Sequence, residues 1–243
     1  MRKTRDVYAV ILAGGAGTRM NSPTPKQFLM LGDAPVFVHC ARKLLADARV
    51  KQLWIGANGD WYDLARQQVD EYIADERVML CEGGADREAT LLNTLSAICG
   101  NNEVGPDDVV LIHDAVRPFL TKRIIDDVIR EMDRCDACNT VVPVNDTIVQ
   151  SADGKTISGM PNRNELFAGQ SPQGFKLNRL LGAFRSLSPV ERKQLTETTK
   201  VCFMKNISIH IVRGEFFNFK ITTPYDWHIA QHILKFEKSE VAN

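Results

Sequence analysis

The sequence VILAGGAGTRMNSPTPKQFL, near the amino terminus, combines three glycines with two cations directly after an apolar run. Gly14, Gly15 and Gly17 can point backbone N–H groups at an anion, because glycine tolerates the dihedral angles that such a loop needs. Arg19 would add a charged fork and Lys26 a mobile point charge. This segment therefore predicts a phosphate-binding loop.

Four other interpretations of the glycines are weighed against this one. A tight strand-to-helix turn with surface cations would need no ligand. A dinucleotide-binding oxidoreductase needs G-x-G-x-x-G and a following helix, but the third position is Met20, and Pro23 and Pro25 interrupt the helix. A Walker loop is excluded because no Gly-Lys-Ser/Thr follows. A non-catalytic nucleotide-binding protein would keep the glycines without needing the cations.

The surrounding pattern predicts alternating strands and helices. Apolar runs indicate strands at residues 7–12, 50–57, 77–81, 108–113 and 138–144, and between them apolar residues recur at helical spacing. SPVE at 188–191 and TPYD at 223–226 have the hydroxyl, proline and acid of helix starts. This order predicts an α/β fold with a mostly parallel sheet flanked by helices. Asp114 would then lie at the carboxyl end of a buried strand, where ligands bind such sheets.

One segment breaks the alternation. Asp146 to Arg163 predicts a hairpin around Asp153-Gly154, a favoured two-residue turn. Such a β-arm would project from the sheet, and a second subunit is a reasonable cover for it.

The totals exclude several classes of protein. Thirty basic and thirty acidic residues give no net charge, which argues against nucleic-acid and membrane-surface partners. No apolar run approaches the length of a membrane span. Six cysteines in 243 residues, without a signal peptide, favour reduced thiols and a cytoplasmic location.

Six motifs in order narrow the function. They are LAGGAGTRM with PKQFLMLGDAPV, then GGADR, IHDAVRPF, PVNDTI, GQSPQGF and FKITTPYD. Together they resemble the cytidylyltransferases that act on small polyol phosphates, over about residues 6 to 235. The resemblance implies a Rossmann-like nucleotidyltransferase fold in one domain, 1–243, with the β-arm at about 145–175 used in a homodimer.

The resemblance also implies a reaction, in which a polyol phosphate attacks the α-phosphate of CTP and pyrophosphate leaves. Catalysis would fall to Arg19, Lys26 and Lys220. The implied nucleotide-binding residues are Leu12, Ala13, Gly14, Gly15, Gly17, Gly83, Arg87, Thr90, Asp114 and Ala115. Asp114 would also hold Mg²⁺, a hard cation that takes carboxylate and phosphate oxygens. Alternatively, Asp114 is a turn or helix-cap aspartate that binds no ligand.

The implied acceptor-binding residues are Arg117, Thr147, Arg163 and Ser171. Arg117 could instead brace its loop through a salt bridge, and Thr147 and Arg163 could belong to an ordinary solvated hairpin. The chain departs from the family pattern at Ala85, where many relatives have an acid, at Ser171, which replaces a threonine, and at Glu197, which replaces an aspartate.

The acceptor is expected to be D-ribitol 5-phosphate, because NGDW, MPNR and GQSPQ resemble that branch of the family. The alternative is 2-C-methyl-D-erythritol 4-phosphate of isoprenoid synthesis. Three other signals carry no predicted function. Cys135-x-x-Cys138 is a lone pair without a second half, His228 and His232 have no third ligand, and His113 is interpreted as a satisfied core histidine.

Overall fold

The computed structural model describes residues 5–15 and 23–241, with the side chains of the last helix as far as residue 236. Gly17 and Arg19 lie outside the described residues, so their predicted roles stay predictions.

Seven strands of the described chain form one sheet. They are β1 (Val7–Leu12), β4 (Val50–Ala57), β5 (Val78–Glu82), β6 (Val109–Asp114), β7 (Ala137–Pro143), β8 (Phe167–Lys176) and β9 (Ile209–Arg213). Their spatial order is β5-β4-β1-β6-β8-β7-β9. All neighbouring pairs are parallel except those that involve β8, which is antiparallel to both β6 and β7. The mostly parallel sheet is therefore confirmed. A small hairpin pairs β2 (Met30–Leu31) with β3 (Ala34–Pro35).

Helices connect these strands and cover both faces of the sheet. They are α1 (Val36–Leu45), α2 (Tyr62–Tyr72), α3 (Arg87–Asn101), α4 (Lys122–Glu131), α5 (Leu177–Arg185), α6 (Pro189–Arg192), α7 (Thr199–Met204) and α8 (Pro224–Val241). No described helix combines the length and apolarity needed to cross a membrane.

The central strand β1 shows why the apolar runs become buried strands. Val7, Ala9 and Ile11 pack into one apolar cluster with α1, α2 and α4, whereas the alternate residues of the strand pack into a second cluster with α3, α5 and α7. Because side chains of a strand alternate between faces, a strand covered on both sides needs apolar residues at every position.

Polar caps define where the predicted helices begin. The Asp86 carboxylate accepts from the Ala89 N–H at the start of α3, at 2.8 Å. Ser188 and Glu191 form a capping box at α6. At α8, the Asp226 carboxylate accepts from the Thr223 N–H at 2.7 Å. The two helix starts predicted from SPVE and TPYD are confirmed.

The arm differs from its prediction in extent and in regularity. Residues 167–175, at the end of the predicted arm, lie in β8 within the central sheet. In the rest of the arm, the predicted hairpin is reduced to one antiparallel bridge, Gln150 with Gly159. Gly154 has φ of 68°, as a tight turn requires. This bridge lies outside the named strands, so the central part of the arm is not an extension of the seven-stranded sheet.

Candidate active site

The site centres on Asp114, the last residue of β6. Lys220 Nζ lies 3.2 Å and Arg117 Nε 3.3 Å from Asp114 Oδ2, and an Arg87 guanidinium nitrogen lies 3.8 Å from Oδ1. Burial alone would raise the pKa of Asp114, but Lys220, Arg87 and Arg117 outweigh it and hold that pKa well below its usual value. Asp114 is thus a permanent anion that gathers three cations at the carboxyl end of a parallel strand.

The three cations are not equally free. Arg117 also donates to the Asn218 carbonyl at 3.0 Å and to the Gly169 carbonyl at 3.3 Å, and only 10% of its side chain is exposed. The side chains of Lys220 and Arg87 are 40% and 38% exposed. Arg117 therefore braces the loop, as its alternative interpretation anticipated, while Lys220 and Arg87 can turn towards a ligand. Acceptor binding by Arg117 stays a prediction.

A buried hydrogen-bond chain fixes the backbone of Asp114. His113 Nε2 lies 3.1 Å from the Arg117 carbonyl, which can only accept, so the proton is on Nε2. Ser171 Oγ then donates to His113 Nδ1 at 2.9 Å and accepts from the Asp114 N–H at 3.1 Å. Burial lowers the pKa of His113 to about 4, so the ring is neutral. His113 is the satisfied core histidine that was predicted.

The same hydrogen-bond chain changes the interpretation of Ser171. Its hydroxyl is buried and already has a donor and an acceptor partner within the protein. The structure therefore gives Ser171 the task of orienting Asp114, and its predicted contact with the acceptor stays a prediction.

Lys220 lies in an irregular segment that apolar neighbours hold in place. Phe219 packs on Phe119 with ring centroids 5.6 Å apart. Ile221 is fully buried in a third apolar cluster, and its N–H donates to the Val116 carbonyl at 2.9 Å. The residues on either side of Lys220 are thus anchored, which leaves the ammonium group facing Asp114.

The glycine loop begins directly after β1. Gln27 Nε2 donates to the carbonyls of Ala13 and Gly15, each at 2.7 Å, and so holds the described start of the loop. Among the described residues, neither Gly14 nor Gly15 has a positive φ, so the dihedral argument for these two glycines is wrong. Gly14 is needed for close approach instead, because a Cβ there would lie 2.7 Å from Thr90 Oγ1.

Thr90 joins this loop to the second glycine segment. Its buried hydroxyl donates to the Asp86 carbonyl at 2.8 Å and accepts from the Gly84 N–H at 3.1 Å. A Cβ on Gly83 would lie 2.9 Å from the Ala57 carbonyl. Thr90 thus packs against both the glycine loop at Gly14 and the segment at Gly83 and Gly84. Its predicted nucleotide contact stays a prediction.

Lys26 is buried directly before Gln27, and only 6% of it is exposed. It faces the start of α8. The pKa of Asp226 is lowered because hydrogen bonds from Thr223 and Thr222 and the charge of Lys26 together outweigh the effect of burial. The first loop and the carboxyl-terminal helix therefore meet near the site.

A cavity of about 190 Å³ adjoins Asp114. It is lined by Arg87, Asp114, Arg117, Gly169, Gln170, Ser171, Gln173, Thr196, Glu197 and Lys220. The cations and Asp114 were predicted from the sequence, but Gln170, Gln173 and Asn218 were missed. The signal for the two glutamines was their presence in GQSPQGF, a polar run on what became a central strand. Glu197, whose role the sequence left open, faces Gln173 Nε2 at 3.4 Å.

The remaining predicted residues divide into two groups. The side chains of Leu12, Ala13 and Ala115 are buried, so only their backbone can meet a nucleotide. Thr147 and Arg163 lie on the arm, and neither lines the cavity. Arg163 donates to the Asn145 carbonyl at 2.8 Å within the arm.

Comparison with known proteins agrees with this geometry. The model of the IspD family, 2-C-methyl-D-erythritol 4-phosphate cytidylyltransferase, matches residues 7–236. A ribitol-5-phosphate cytidylyltransferase from Lactiplantibacillus plantarum is 41% identical over 230 residues, with 94% of this chain and 98% of that protein covered. One of the same description from Streptococcus pneumoniae serotype 2 is 40% identical over 232 residues, with 94% and 99% covered.

Solved structures share the fold. The 2-C-methyl-D-erythritol 4-phosphate cytidylyltransferase of Francisella tularensis superposes with a TM-score of 0.78 at 23% identity, with 93% of this chain and 98% of that one covered. The enzyme of the same description from Thermus thermophilus gives a TM-score of 0.72 at 24% identity, with 95% and 99% covered. The chain belongs to the IspD family of cytidylyltransferases.

Proposed function

We propose that the chain transfers a cytidylyl group from CTP to D-ribitol 5-phosphate, giving CDP-ribitol and pyrophosphate. The observation that carries this proposal is the cluster of Lys220, Arg87 and Arg117 around Asp114 at the carboxyl end of β6. The identity of about 40% with ribitol-5-phosphate cytidylyltransferases over most of the chain supports the acceptor.

The chemistry asks for alignment and charge neutralisation. An oxygen of the acceptor phosphate attacks the α-phosphorus of CTP, and the bond from that phosphorus to the bridging oxygen breaks, so that its electron pair leaves with pyrophosphate. Negative charge spreads over the phosphoryl oxygens on the way. Lys220 and Arg87 are the exposed cations of the cluster, and we assign them to this charge. Arg19 and Lys26 are proposed to act on the triphosphate from the glycine loop.

Asp114 fits a role as a Mg²⁺ ligand. Among the described residues, both cation contacts shorter than 3.5 Å are to Oδ2, so Oδ1, with Arg87 at 3.8 Å, is the less occupied oxygen. One carboxylate suffices for Mg²⁺ where substrate phosphates and water supply the other oxygens. The ion would supply further neutralisation of the triphosphate.

Glu197 is proposed to recognise the polyol end of the acceptor. It lines the same cavity as the three cations, but its carboxylate would repel a phosphate and accept hydrogen bonds from hydroxyls. The acceptor would then lie with its phosphate towards the cations and its hydroxyls towards Glu197 and Gln173.

The arm supports a homodimer. Ile148, Val149, Ile157, Met160 and Phe167 are 37%, 47%, 63%, 66% and 47% exposed along it and at its return into the sheet. A second copy would cover this apolar surface and could bring Thr147 and Arg163 to a site that lacks them in one chain. The six free thiols support a reducing compartment, the cytoplasm.

The decisive experiment measures pyrophosphate release from CTP and Mg²⁺ with ribitol 5-phosphate and with 2-C-methyl-D-erythritol 4-phosphate in parallel. We expect turnover with the first and little with the second. The reverse preference would make the alternative acceptor correct, and release with neither would reject the proposed reaction.

The role of Arg163 across the dimer has its own test. Lys220→Ala and Arg163→Ala should each be inactive alone, and mixing them should restore about a quarter of wild-type activity if subunits exchange at random and each site takes Arg163 from the partner. If mass spectrometry shows that mixed dimers have formed but activity does not recover, Arg163 does not act in the site of the partner subunit.

A further inference from the structure

A cluster of three metal-ligating groups lies near the amino ends of β7 and β9, away from the active site. The ligand atoms of Glu131, Cys135 and His210 all lie within 4.8 Å of one another. His210 Nδ1 lies 2.7 Å from Glu131 Oε1, and their side chains are 41% and 24% exposed. A metal ion replacing the proton between these two atoms would meet the Cys135 sulfur as its third ligand.

Three parts of the fold place these groups together. Glu131 is the last residue of α4, Cys135 lies in the turn before β7, and His210 is in β9. Cys138 of β7 is the registered partner of His210 in the parallel ladder. Residues that are paired in register on neighbouring strands project from the same face of the sheet. The Cys138 side chain is therefore on the same face as His210.

The cluster is separate from the proposed active site. Because β6 and β7 are both antiparallel to β8, they run in the same direction. Asp114 is at the carboxyl end of β6, whereas Cys135 precedes the amino end of β7. The two sites therefore lie at opposite ends of the strands, the active site at the carboxyl ends and the cluster at the amino ends.

We propose that Glu131, Cys135 and His210 bind one divalent transition-metal ion of the Zn²⁺ type, through a carboxylate oxygen, a thiolate and Nδ1. The fourth coordination position opens on the adjacent cavity of about 870 Å³, which Cys135 and His210 both line, and water fills it. Binding releases the thiol proton of Cys135 to solvent, and His210 coordinates through Nδ1 as the neutral imidazole with its proton on Nε2.

The donor set selects the metal. Thiolate and imidazole favour Zn²⁺, Co²⁺ and similar ions, whereas Mg²⁺ prefers oxygen ligands only. Three protein ligands with one open position are a common arrangement for zinc. Cys138 is paired in register with His210, and we assign its thiol as an outer partner of the bound thiolate.

The ion would join elements that are distant in sequence. It would link the end of α4, and the turn between α4 and β7, to the edge strand β9. Metal binding should therefore raise the melting temperature of the reduced, full-length protein, since the unfolded chain does not hold these ligands together.

Cobalt substitution tests the site directly. Co²⁺ is titrated into the full-length protein, kept reduced with a phosphine, and read by absorption. We expect one tightly bound equivalent, with a thiolate-to-cobalt charge-transfer band and the intense visible bands of four-coordinate cobalt. Zn²⁺ should displace the cobalt, whereas Mg²⁺ in excess should leave the spectrum unchanged.

Variants locate the ion. Loss of an outer partner of a metal site costs about 10–100-fold in affinity, so Cys138→Ala should cost about that much and Cys135→Ser or His210→Ala at least as much. Cys99→Ser and His232→Ala, which alter a thiol and an imidazole elsewhere, should bind cobalt like the wild type. Asp114→Asn should do the same, which separates this site from the proposed Mg²⁺ site.

The proposal fails if the reduced wild type binds no cobalt equivalent, if the bound cobalt lacks the thiolate band, or if Cys135→Ser binds as tightly as the wild type. A disulfide between Cys135 and Cys138 that the phosphine cannot open would also overturn it. Because Cys135→Ser should keep its pyrophosphate release, none of these outcomes bears on the proposed transferase reaction.

Discussion

The Asp114 cluster and the arm are built in opposite ways. Asp114 is held by partners that come from distant parts of the sequence, such as Lys220, Ser171 and Arg87. The arm is held by local contacts, chiefly its bridge and the turn at Asp153, whose carboxylate accepts from the N–H groups of Lys155 and Thr156 at 2.8 and 2.9 Å.

This difference separates what one chain completes from what it leaves exposed. The Asp114 cluster fixes its cations on one carboxylate and buries its framework within a single chain, so it is organised before any ligand arrives. The arm leaves large apolar side chains in solvent, and the proposed second copy would cover them. The contrast predicts that substitutions in the Asp114 cluster impair catalysis or the stability of the single chain, whereas substitutions on the arm leave the stability of the single chain nearly unchanged.

The largest expected effect is on turnover at Lys220. Lys220→Ala should lower kcat by about 10²–10³-fold, as loss of one preorganised donor to a developing negative charge does. Folding should be nearly unchanged, because Arg117 still pairs with Asp114. The measurement is pyrophosphate release, with Lys43→Ala, an exposed lysine of α1, as the matched control. Equal activity of the two variants would remove Lys220 from the chemistry.

The next effect is the pH dependence of stability. His113 has a folded pKa of about 4 against an ordinary 6.5, so between these values the unfolded chain binds a proton that the folded chain does not. The free energy of unfolding should fall as pH falls through this window, with a contribution of about 3 kcal/mol from His113.

Two measurements check this contribution. Urea unfolding at successive pH values gives the slope, and His113→Gln should flatten it. NMR of the imidazole carbons should show that His113 stays neutral at pH 5.5, which is below the ordinary histidine pKa of 6.5. Protonation of His113 near pH 6.5 would contradict the buried network.

A smaller effect is expected from paired serine substitutions. Ser171→Ala leaves the buried Asp114 N–H and His113 Nδ1 without partners, which should destabilise the protein by about 1–3 kcal/mol. Ser151→Ala on the arm removes a solvent-exposed hydroxyl that donates to Asp153 at 3.0 Å and should change stability by less than about 0.5 kcal/mol. Chemical denaturation measures both, and equal losses would break the contrast between the two regions.

The sequence predicted the parts of this fold that have a regular apolar pattern. The strands before β8 and the helices between them follow the expected alternation, because burial on both faces requires apolar runs. The sheet contains β8 despite a polar centre, GQSPQ. Its neighbours β6 and β7 supply the hydrogen bonds, and local pattern does not report such tertiary pairing.

The site shows the same division. Asp114, Arg87 and Lys220 were found through motif resemblance, and the structure brings them together. The buried tasks of Ser171 and Thr90 were not found, because each depends on which partners a hydroxyl meets after folding. Glu131, Cys135 and His210 could not be grouped from spacing, since the parallel pairing of β7 with β9 alone brings His210 to the two cysteines.

The smallest effect on the single chain is expected at Ile157, at the exposed end of the arm. Its side chain is largely solvent-exposed, so Ile157→Asn should change the unfolding free energy of the isolated chain by less than about 0.5 kcal/mol. If a second copy covers the arm, the same change should weaken the dimer, because a polar amide would replace buried apolar surface. Sedimentation equilibrium measures the dissociation constant, with Val190→Asn, an equally apolar exposed site on α6, as the control. If Ile157→Asn weakens the dimer no more than Val190→Asn does, the apolar surface of the arm is not what joins the subunits. The arm's exposed apolar residues would then not indicate a dimer contact.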